Sequence, residues 1–233
     1  MNTKHLQVYS QLRYHEKDSF DPTLKGKIDE PTPHLPWNWQ TNISLFPLDE
    51  FAIAYEIDDL HRLSALRLNV DTYRMIHEEN APSNNIFIRR FSDALNVQLS
   101  SKTGTSELLS LAERNSSAPI FYFKNKFDVA RPYHYQGGTT NFFDKPILHP
   151  SFPSGHATQS FLMALLLGKV CPATYQRDLL ATAFDIARNR EIAGVHFRSD
   201  TFGGLALARQ LVEMLTTTSD FKLLLDKARK EWP

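Results

Sequence analysis

The most restrictive feature of this sequence is its most apolar helix, together with the residues that precede it. Residues 149–170 read HPSFPSGHATQSFLMALLLGKV, and the run from Phe161 to Leu167 is apolar at every position. A helix that is apolar all round must be buried in a protein core or a membrane, and this run is far too short to span a bilayer. The chain therefore has to build a core around this helix, which is predicted to cover about 155–170.

The rest of the sequence supplies further helices and no convincing strand alternation. From Pro47 onward apolar residues recur at helical spacing, which predicts one all-α helical-bundle domain over residues 47–233. Residues 1–46 are polar and dotted with prolines, so we expect an extended or loosely helical arm there. Further helices are predicted over about 105–115, 119–131, 174–193 and 200–216, the second of them ended by Pro132.

Charge and cysteine content narrow the classes of function. Lys plus Arg equals Asp plus Glu at 26 each, so the overall charge says nothing about nucleic acid or anionic membranes, and any anion site must come from locally gathered cations. We expect no nucleic-acid partner. Cys171 is the single cysteine, which leaves no intrachain disulfide and no thiolate metal cluster. The N-terminal stretch lacks the apolar core of a signal peptide, and no transmembrane segment is seen, so a cytoplasmic protein is expected. The oligomeric state stays open.

Two cations stand out in the stretch KNKFDVARP. Lys124 and Arg131 are seven residues apart, about two helical turns, so on one helix both would project from the same face. Most such pairs are solvated surface charges. This helix is otherwise aromatic, with Phe121 and Tyr122 just before Lys124, and a cationic face on such a helix favours a buried anion as partner.

The stretch PSGH opens the apolar helix. A helix N-terminus carries unsatisfied N–H groups and a partial positive charge, which favour an anion. Ser154 is suited to be the N-cap, and that structural role alone would explain it. Gly155 permits close approach of a ligand to the backbone, and His156 in the first turn is placed to donate a proton to a leaving group.

A third stretch, RNREIAGVHFRSD, combines a cation with a histidine and an aspartate. Arg190 lies near the end of one predicted helix, and His196 and Asp200 are four residues apart. A carboxylate beside an imidazole fixes its tautomer and leaves the other ring nitrogen free to attack. Taken alone, this spacing also fits a structural histidine with no catalytic role.

Together, the three stretches resemble the signature of the superfamily of type-2 phosphatidic acid phosphatases, bacterial non-specific acid phosphatases and vanadium-dependent haloperoxidases. In that signature Lys and Arg-Pro are separated by six residues, Pro-Ser-Gly-His follows, and Ser-Arg is then separated by five residues from His and by three more from Asp. All three spacings occur here in order. Asn189 stands where the signature usually has Ser. Because an amide can still donate a hydrogen bond to an oxyanion, we expect this departure to tune the activity rather than abolish it.

The resemblance implies a helical bundle of the acid phosphatase/vanadium haloperoxidase type, with the active site in residues 120–205. It implies that His196 is the nucleophile, forming a phosphohistidine, and that Asp200 orients it. His156 would be the acid and base. The implied reaction is metal-independent hydrolysis of a small phosphorylated substrate without a cofactor. The implied phosphate ligands are Lys124, Arg131, Ser154, Gly155 and Arg190.

Two alternatives remain open within this resemblance. Vanadate has the shape of the phosphoryl transition state, so the same site would make a haloperoxidase, with vanadium bonded to His196 and with peroxide and halide as substrates. His149 favours that branch, because bromoperoxidases carry a histidine there; Phe121 favours the phosphatase, because haloperoxidases tend to carry tryptophan there. The other alternative is a non-catalytic phosphate- or phospholipid-binding relative. The physiological substrate is set by a rim that we expect from the 133–149 loop and the N-terminal half.

Overall fold

The fold, taken from a computed structural model that describes residues 11–47, 49–80 and 86–232, is all-α, as predicted. Within those residues there is no β-strand, only an isolated antiparallel bridge between Arg13 and Val129. No helix in the same ranges is long and apolar enough to cross a bilayer. The helices are α1 (Pro22–Gly26), α2 (Trp39–Asn42), α3 (Glu50–Ser64), α4 (Val70–Asn80), α5 (Ile86–Leu95), α6 (Thr103–Phe127), α7 (Gly155–Val170), α8 (Gln176–Ile192), α9 (Arg198–Leu215) and α10 (Ser219–Arg229).

The apolar helix α7 lies at the centre of the bundle, with the bounds that the sequence predicts. It packs against α6, α8, α9 and α10. Side chains on every face of it are buried, including those of Phe161, Leu162 and Met163 on three successive positions. Because α7 is buried against four neighbouring helices along its length, its N-terminal end is held in a fixed place relative to them.

The helix α6 corrects two of the predictions. It is one continuous helix, where two helices separated near Pro119 were expected, and Pro119 lies inside it. An interior proline costs about 3 kcal/mol, but α6 packs against α7 and α10 and buries residues on both sides of the proline, such as Ala112 and Phe123. The predicted end at Pro132 is also wrong: the helix ends at Phe127, because Asp128 adopts a left-handed conformation with φ of 52°.

The early end of α6 moves Arg131 off the helix. Its backbone is extended, with φ of −81° and ψ of 159°. The idea that Lys124 and Arg131 share one helix face is therefore wrong, although both are buried. Lys124 projects from the last turns of α6, and Arg131 follows it on an extended segment.

The N-terminal arm is partly helical and is packed along the end of α6. The Tyr14 N–H donates to the Asp128 carbonyl at 2.8 Å, and the Ala130 N–H donates to the Leu12 carbonyl at 3.1 Å. Farther along, the indole of Trp39 packs edge-on against Tyr122 in the core. The first ten residues of the predicted arm lie outside the described residues.

The helices α7 and α9 approach closely where the two motif-bearing segments meet. A Cβ atom at Gly204 would lie 2.7 Å from the Ala157 Cβ atom and 2.9 Å from the Ser154 carbonyl oxygen. Only a glycine fits this contact. The first turn of α9 is thereby held against the first turn of α7, and the Ser154 N–H donates to the Asp200 carbonyl at 3.1 Å.

Candidate active site

The three motif stretches converge on one buried site at the N-terminal end of α7. Lys124 comes from α6 and Arg131 from the segment after it. Ser154, Gly155 and His156 come from the start of α7, and Arg190 comes from the end of α8. His196 and Asp200 flank the start of α9. Lys124, Arg131 and Arg190 are each at most 1% exposed, so three cations share one desolvated region.

His196 is held in one tautomer by Asp200. Its Nδ1 lies 3.0 Å from the Asp200 carboxylate, which also accepts the Phe197 N–H at 2.8 Å and the Ser151 hydroxyl. Because that carboxylate accepts, Nδ1 carries the proton and Nε2 keeps its lone pair. Burial, Arg131 and Lys124 all lower the pKa of His196 well below its usual value. Burial raises the pKa of Asp200, and the bonds from Ser151 and Phe197 oppose that rise.

Main-chain carbonyl groups hold two of the cations. Lys124 Nζ donates to the carbonyls of Pro150 and Ser151 at 2.7 and 2.8 Å. Arg131 donates to the carbonyls of His149 and Val195 at 3.0 and 2.6 Å. Its Nη1 also lies 3.5 Å from Nε2 of His196. Burial lowers the pKa of both cations, and Arg131 lowers that of Lys124 further.

Arg190 presents a buried hydrogen-bond donor, Nη1, that has no partner among the described residues. The Arg190 Cζ atom lies over the ring of Phe143, 5.0 Å from the ring centroid. A buried N–H group without an acceptor costs about 1–3 kcal/mol, more when charged. A bound anion would accept a hydrogen bond from this N–H group and remove that cost.

Residues 106–221, which contain every segment of the motif, match the family model of the PAP2 superfamily. The chain belongs to the PAP2 superfamily. It is similar to non-specific acid phosphatases of Providencia stuartii (30% identical; 47% of this chain, 45% of the relative) and Salmonella typhi (33%; 35% and 32%). It is also similar to an acid phosphatase of Zymomonas mobilis (25%; 59% and 53%). The chain thus spans about half or less of these relatives.

At the N-terminal end of α7, Ser154 caps the helix while His156 keeps one ring nitrogen free. Ser154 caps α7, its hydroxyl accepting the Ala157 N–H at 3.4 Å. His156 Nε2 lies 3.0 Å from the Glu79 carbonyl, which only accepts, so Nε2 carries a proton and Nδ1 is the free nitrogen. Burial, Arg190 and the other site cations lower the pKa of His156 to about 3.

The side chain of Asn189, which stands where the family signature usually has Ser, is directed at Glu79. The Asn189 amide nitrogen lies 3.0 Å from each carboxylate oxygen of Glu79, where the sequence suggested a bond to a bound oxyanion. Glu79 also pairs with Arg90 of α5. Burial raises the pKa of Glu79 to about 7, and Arg90, Asn189 and Arg190 oppose this. Glu79 lies outside the family match, and no sequence motif points to it.

His149 and Phe121 lie together beside Arg131. Arg131 Nη2 donates to His149 Nδ1 at 3.0 Å, and the ring of Phe121 meets the His149 ring edge-on at 5.6 Å. Burial, Lys124 and Arg131 lower the pKa of His149 well below its usual value. Both side chains are partly exposed, so they border the site. Ser151 is the other functional residue without a sequence signal, since no spacing rule distinguishes it from neighbouring loop residues.

Proposed function

We propose that the protein is a phosphatase that hydrolyses phosphate monoesters through a phosphohistidine on His196. The observation that carries the proposal is the pairing of a neutral His196, whose Nε2 is unprotonated, with a buried Nη1 on Arg190 that has no hydrogen-bond partner among the described residues. A nucleophile and an anion site then lie in one desolvated region. The acid phosphatase relatives support this reaction class.

In the first step His196 Nε2 attacks phosphorus. The N–P bond forms while the ester P–O bond breaks, and the bond's electron pair leaves with the ester oxygen. Arg190, Arg131 and Lys124 stabilise the charge on the phosphoryl oxygens, with help from the Ser154 hydroxyl and the Gly155 N–H. Phosphoryl transfer asks a protein mainly for positioning and electrostatic stabilisation, and three fixed cations supply both.

His156 serves both steps through Nδ1. A bound phosphate dianion adds negative charge beside it, which favours its protonated form. Protonated His156 gives the Nδ1 proton to the departing oxygen. Neutral His156 then takes a proton from a water molecule, whose oxygen attacks phosphorus as the N–P bond breaks and phosphate is released.

The test uses purified, metal-stripped protein with p-nitrophenyl phosphate. We expect turnover that EDTA leaves intact, competitive inhibition by orthovanadate, and an acid-labile phosphoryl group on His196 after rapid quenching. His196→Ala abolishes turnover, whereas His15→Ala, which changes an exposed histidine, serves as the matched control. Loss of activity in EDTA would contradict the metal-free reaction.

A parallel assay with vanadate, peroxide and bromide separates the alternatives. Vanadate would be held by the same residues, with vanadium bonded to His196, and it would supply the oxidation of halide by peroxide. Bromination of an acceptor dye without phosphate release would replace the phosphatase with the haloperoxidase. Inactivity in both assays would leave a protein that only binds phosphate groups.

A further inference from the structure

Four aromatic rings form a continuous surface that starts at Arg190 and runs outward to solvent. They belong to Tyr73, His77, Phe142 and Phe143, which we call the aromatic cluster. Tyr73 and His77 lie 4.6 Å apart, and Phe142 lies 5.1 and 4.9 Å from these two rings. Phe143 packs edge-on against Phe142 at 5.5 Å. The cluster therefore joins the buried phosphate site to the surface.

The loop side of the cluster is firmly fixed. Arg67 donates to the Ile192 carbonyl at 2.6 Å and to the hydroxyl and carbonyl of Thr140 at 3.1 and 3.0 Å. The Phe142 N–H donates to the Ala193 carbonyl at 3.0 Å. These bonds tie the loop to the end of α8, the helix that carries Arg190. A ligand would therefore bind to a preorganised surface, and little ordering of the loop would be needed on binding.

The position of Phe143 leaves Arg190 free to bind phosphate. The Arg190 Cζ atom lies over the Phe143 ring, 5.0 Å from the ring centroid, and the Nη1 donors stay unpaired among the described residues. Phosphate oxygens bound to Nη1 would place the ester group near Phe143. A ring attached directly to the ester oxygen would reach the aromatic cluster without a spacer.

The outer part of the cluster is open. Tyr73 is 50% exposed, and Phe142 and Phe143 are each partly exposed. Exposed aromatic faces and edges bind a further ring in offset or edge-to-face geometry. Tyr73 and His77 project from α4, so the N-terminal half contributes to this rim together with the loop.

Leaving-group chemistry points in the same direction. Before a phosphate dianion binds, burial and Arg190 hold the pKa of His156 at about 3, so the protonated acid forms only with the help of the bound substrate. A phenol has a pKa of about 10, whereas the pKa of an alcohol is far higher, close to that of water. An aryl oxide therefore leaves with much less help from an acid than an alkoxide does.

We propose that the aromatic cluster is the leaving-group subsite of this active site, and that its substrates are aryl phosphate monoesters. This rests on the proposed function. In the reaction the P–O bond to the ring oxygen breaks, the aryl oxide keeps the electron pair, and the phosphoryl group passes to His196. The ring is held by Tyr73, Phe142 and Phe143 as it leaves.

The test measures binding of three phosphonates, which cannot be hydrolysed at the carbon–phosphorus bond. Phenylphosphonate carries a flat aromatic ring. Cyclohexylphosphonate carries an apolar ring of similar size without a π face, and methylphosphonate carries no ring. Calorimetric titration of the full chain is expected to rank phenyl above cyclohexyl and methyl. In Tyr73→Leu and Phe142→Leu the phenyl-to-cyclohexyl affinity ratio is expected to fall roughly three- to tenfold. Tyr55→Leu, at an exposed tyrosine of α3, is expected to keep it.

Each outcome decides the proposal. Equal affinity for phenyl and cyclohexyl would replace the aryl subsite with a general apolar one and overturn it, as would ratios that neither variant changes while both stay folded by circular dichroism. Failure of all three phosphonates to bind would overturn the subsite and the phosphate site together. A phenyl preference in a protein that hydrolyses no ester would leave a ring-binding surface, while overturning the phosphatase and, with it, the leaving-group role of the cluster.

Discussion

The amide of Asn189 and the carboxylate of Glu79 connect the C-terminal motif to a helix that carries no motif. The amide nitrogen lies 3.0 Å from both carboxylate oxygens, and the Glu79 carbonyl accepts from His156. Glu79 thus contacts two motif residues and attracts a third, Arg190. It acts as a positioning residue for the site.

Replacing Glu79 by Gln is expected to lower kcat about tenfold without weakening the binding of phosphate. The amide keeps much of the shape but removes the negative charge that Glu79 carries above its pKa of about 7 and that orients Asn189 and Arg190. Misplaced catalytic groups cost rate. Removing that charge also leaves the site more cationic, which favours anions. Steady-state kinetics and the inhibition constant of inorganic phosphate measure the two effects.

Glu78→Gln is the matched control for this experiment. Glu78 is the preceding residue, and it pairs with Arg89 as Glu79 pairs with Arg90. Its side chain is 40% exposed, so its loss should leave kcat unchanged. Equal effects of the two variants would show that Glu79 acts only through the packing of α4 on α5.

Phosphate is expected to raise the melting temperature of the protein through Arg190. At a phosphate concentration of 100 times Kd, binding stabilises the native state by about 2.7 kcal/mol. Arg190→Met removes the buried donor and should abolish most of that shift. Arg188→Met removes an exposed cation two residues earlier and should preserve it. A full shift in Arg190→Met would place the anion elsewhere.

Ser151→Ala is expected to reduce kcat roughly tenfold, since Asp200 loses a hydrogen bond that helps to orient His196. Differential scanning calorimetry should show a modest loss of stability. Ser160→Ala provides the comparison, because Ser160 is also buried but bonds to the main-chain carbonyls of Ala157 and Ala183 and not to Asp200. If both serines affect kcat alike, the Ser151 contact has no special part in catalysis.

Gly204→Ala is expected to destabilise the protein by about 1–3 kcal/mol and to impair catalysis more than its stability loss explains. The added Cβ atom meets Ala157 and the Ser154 carbonyl, so α9 must move away from α7 and carry Asp200 with it. In contrast, Gly26→Ala adds a Cβ atom with nothing within 4 Å. Urea unfolding and kcat of the two variants test this; a neutral Gly204→Ala would refute the close contact.

Acid should weaken the wild type more than His156→Gln. The pKa of His156 is about 3 in the native protein and about 6.5 when unfolded, so the unfolded chain binds the extra proton. Its contribution to stability is present above about pH 6.5 and is lost as the pH falls. Between pH 7 and pH 5 the wild type should lose about 2 kcal/mol more than the variant. Denaturant unfolding without phosphate at both pH values gives the difference; parallel losses would mean that His156 titrates normally.

The sequence predicted the helical class and the motif residues of the site because both follow from local patterns. Apolar spacing fixed α7, and the motif spacing identified Lys124, Arg131 and Arg190 together. The path of the chain after Phe127 was not predictable, since Asp128 ends α6 in a conformation that no local signal demands. Glu79 could not be predicted for another reason: its role comes from contacts with residues 77 and 110 positions away in the chain.

The way in which Lys124 and Arg131 are held has a consequence for how this site can diverge between relatives. Apart from the His149 ring, which also accepts from Arg131, their partners at 149, 150, 151 and 195 are main-chain carbonyls, which every amino acid provides. Substitutions at those positions can change what surrounds the bound group without removing these main-chain acceptors. The electrostatic frame and the chemical environment of the pocket can therefore evolve separately.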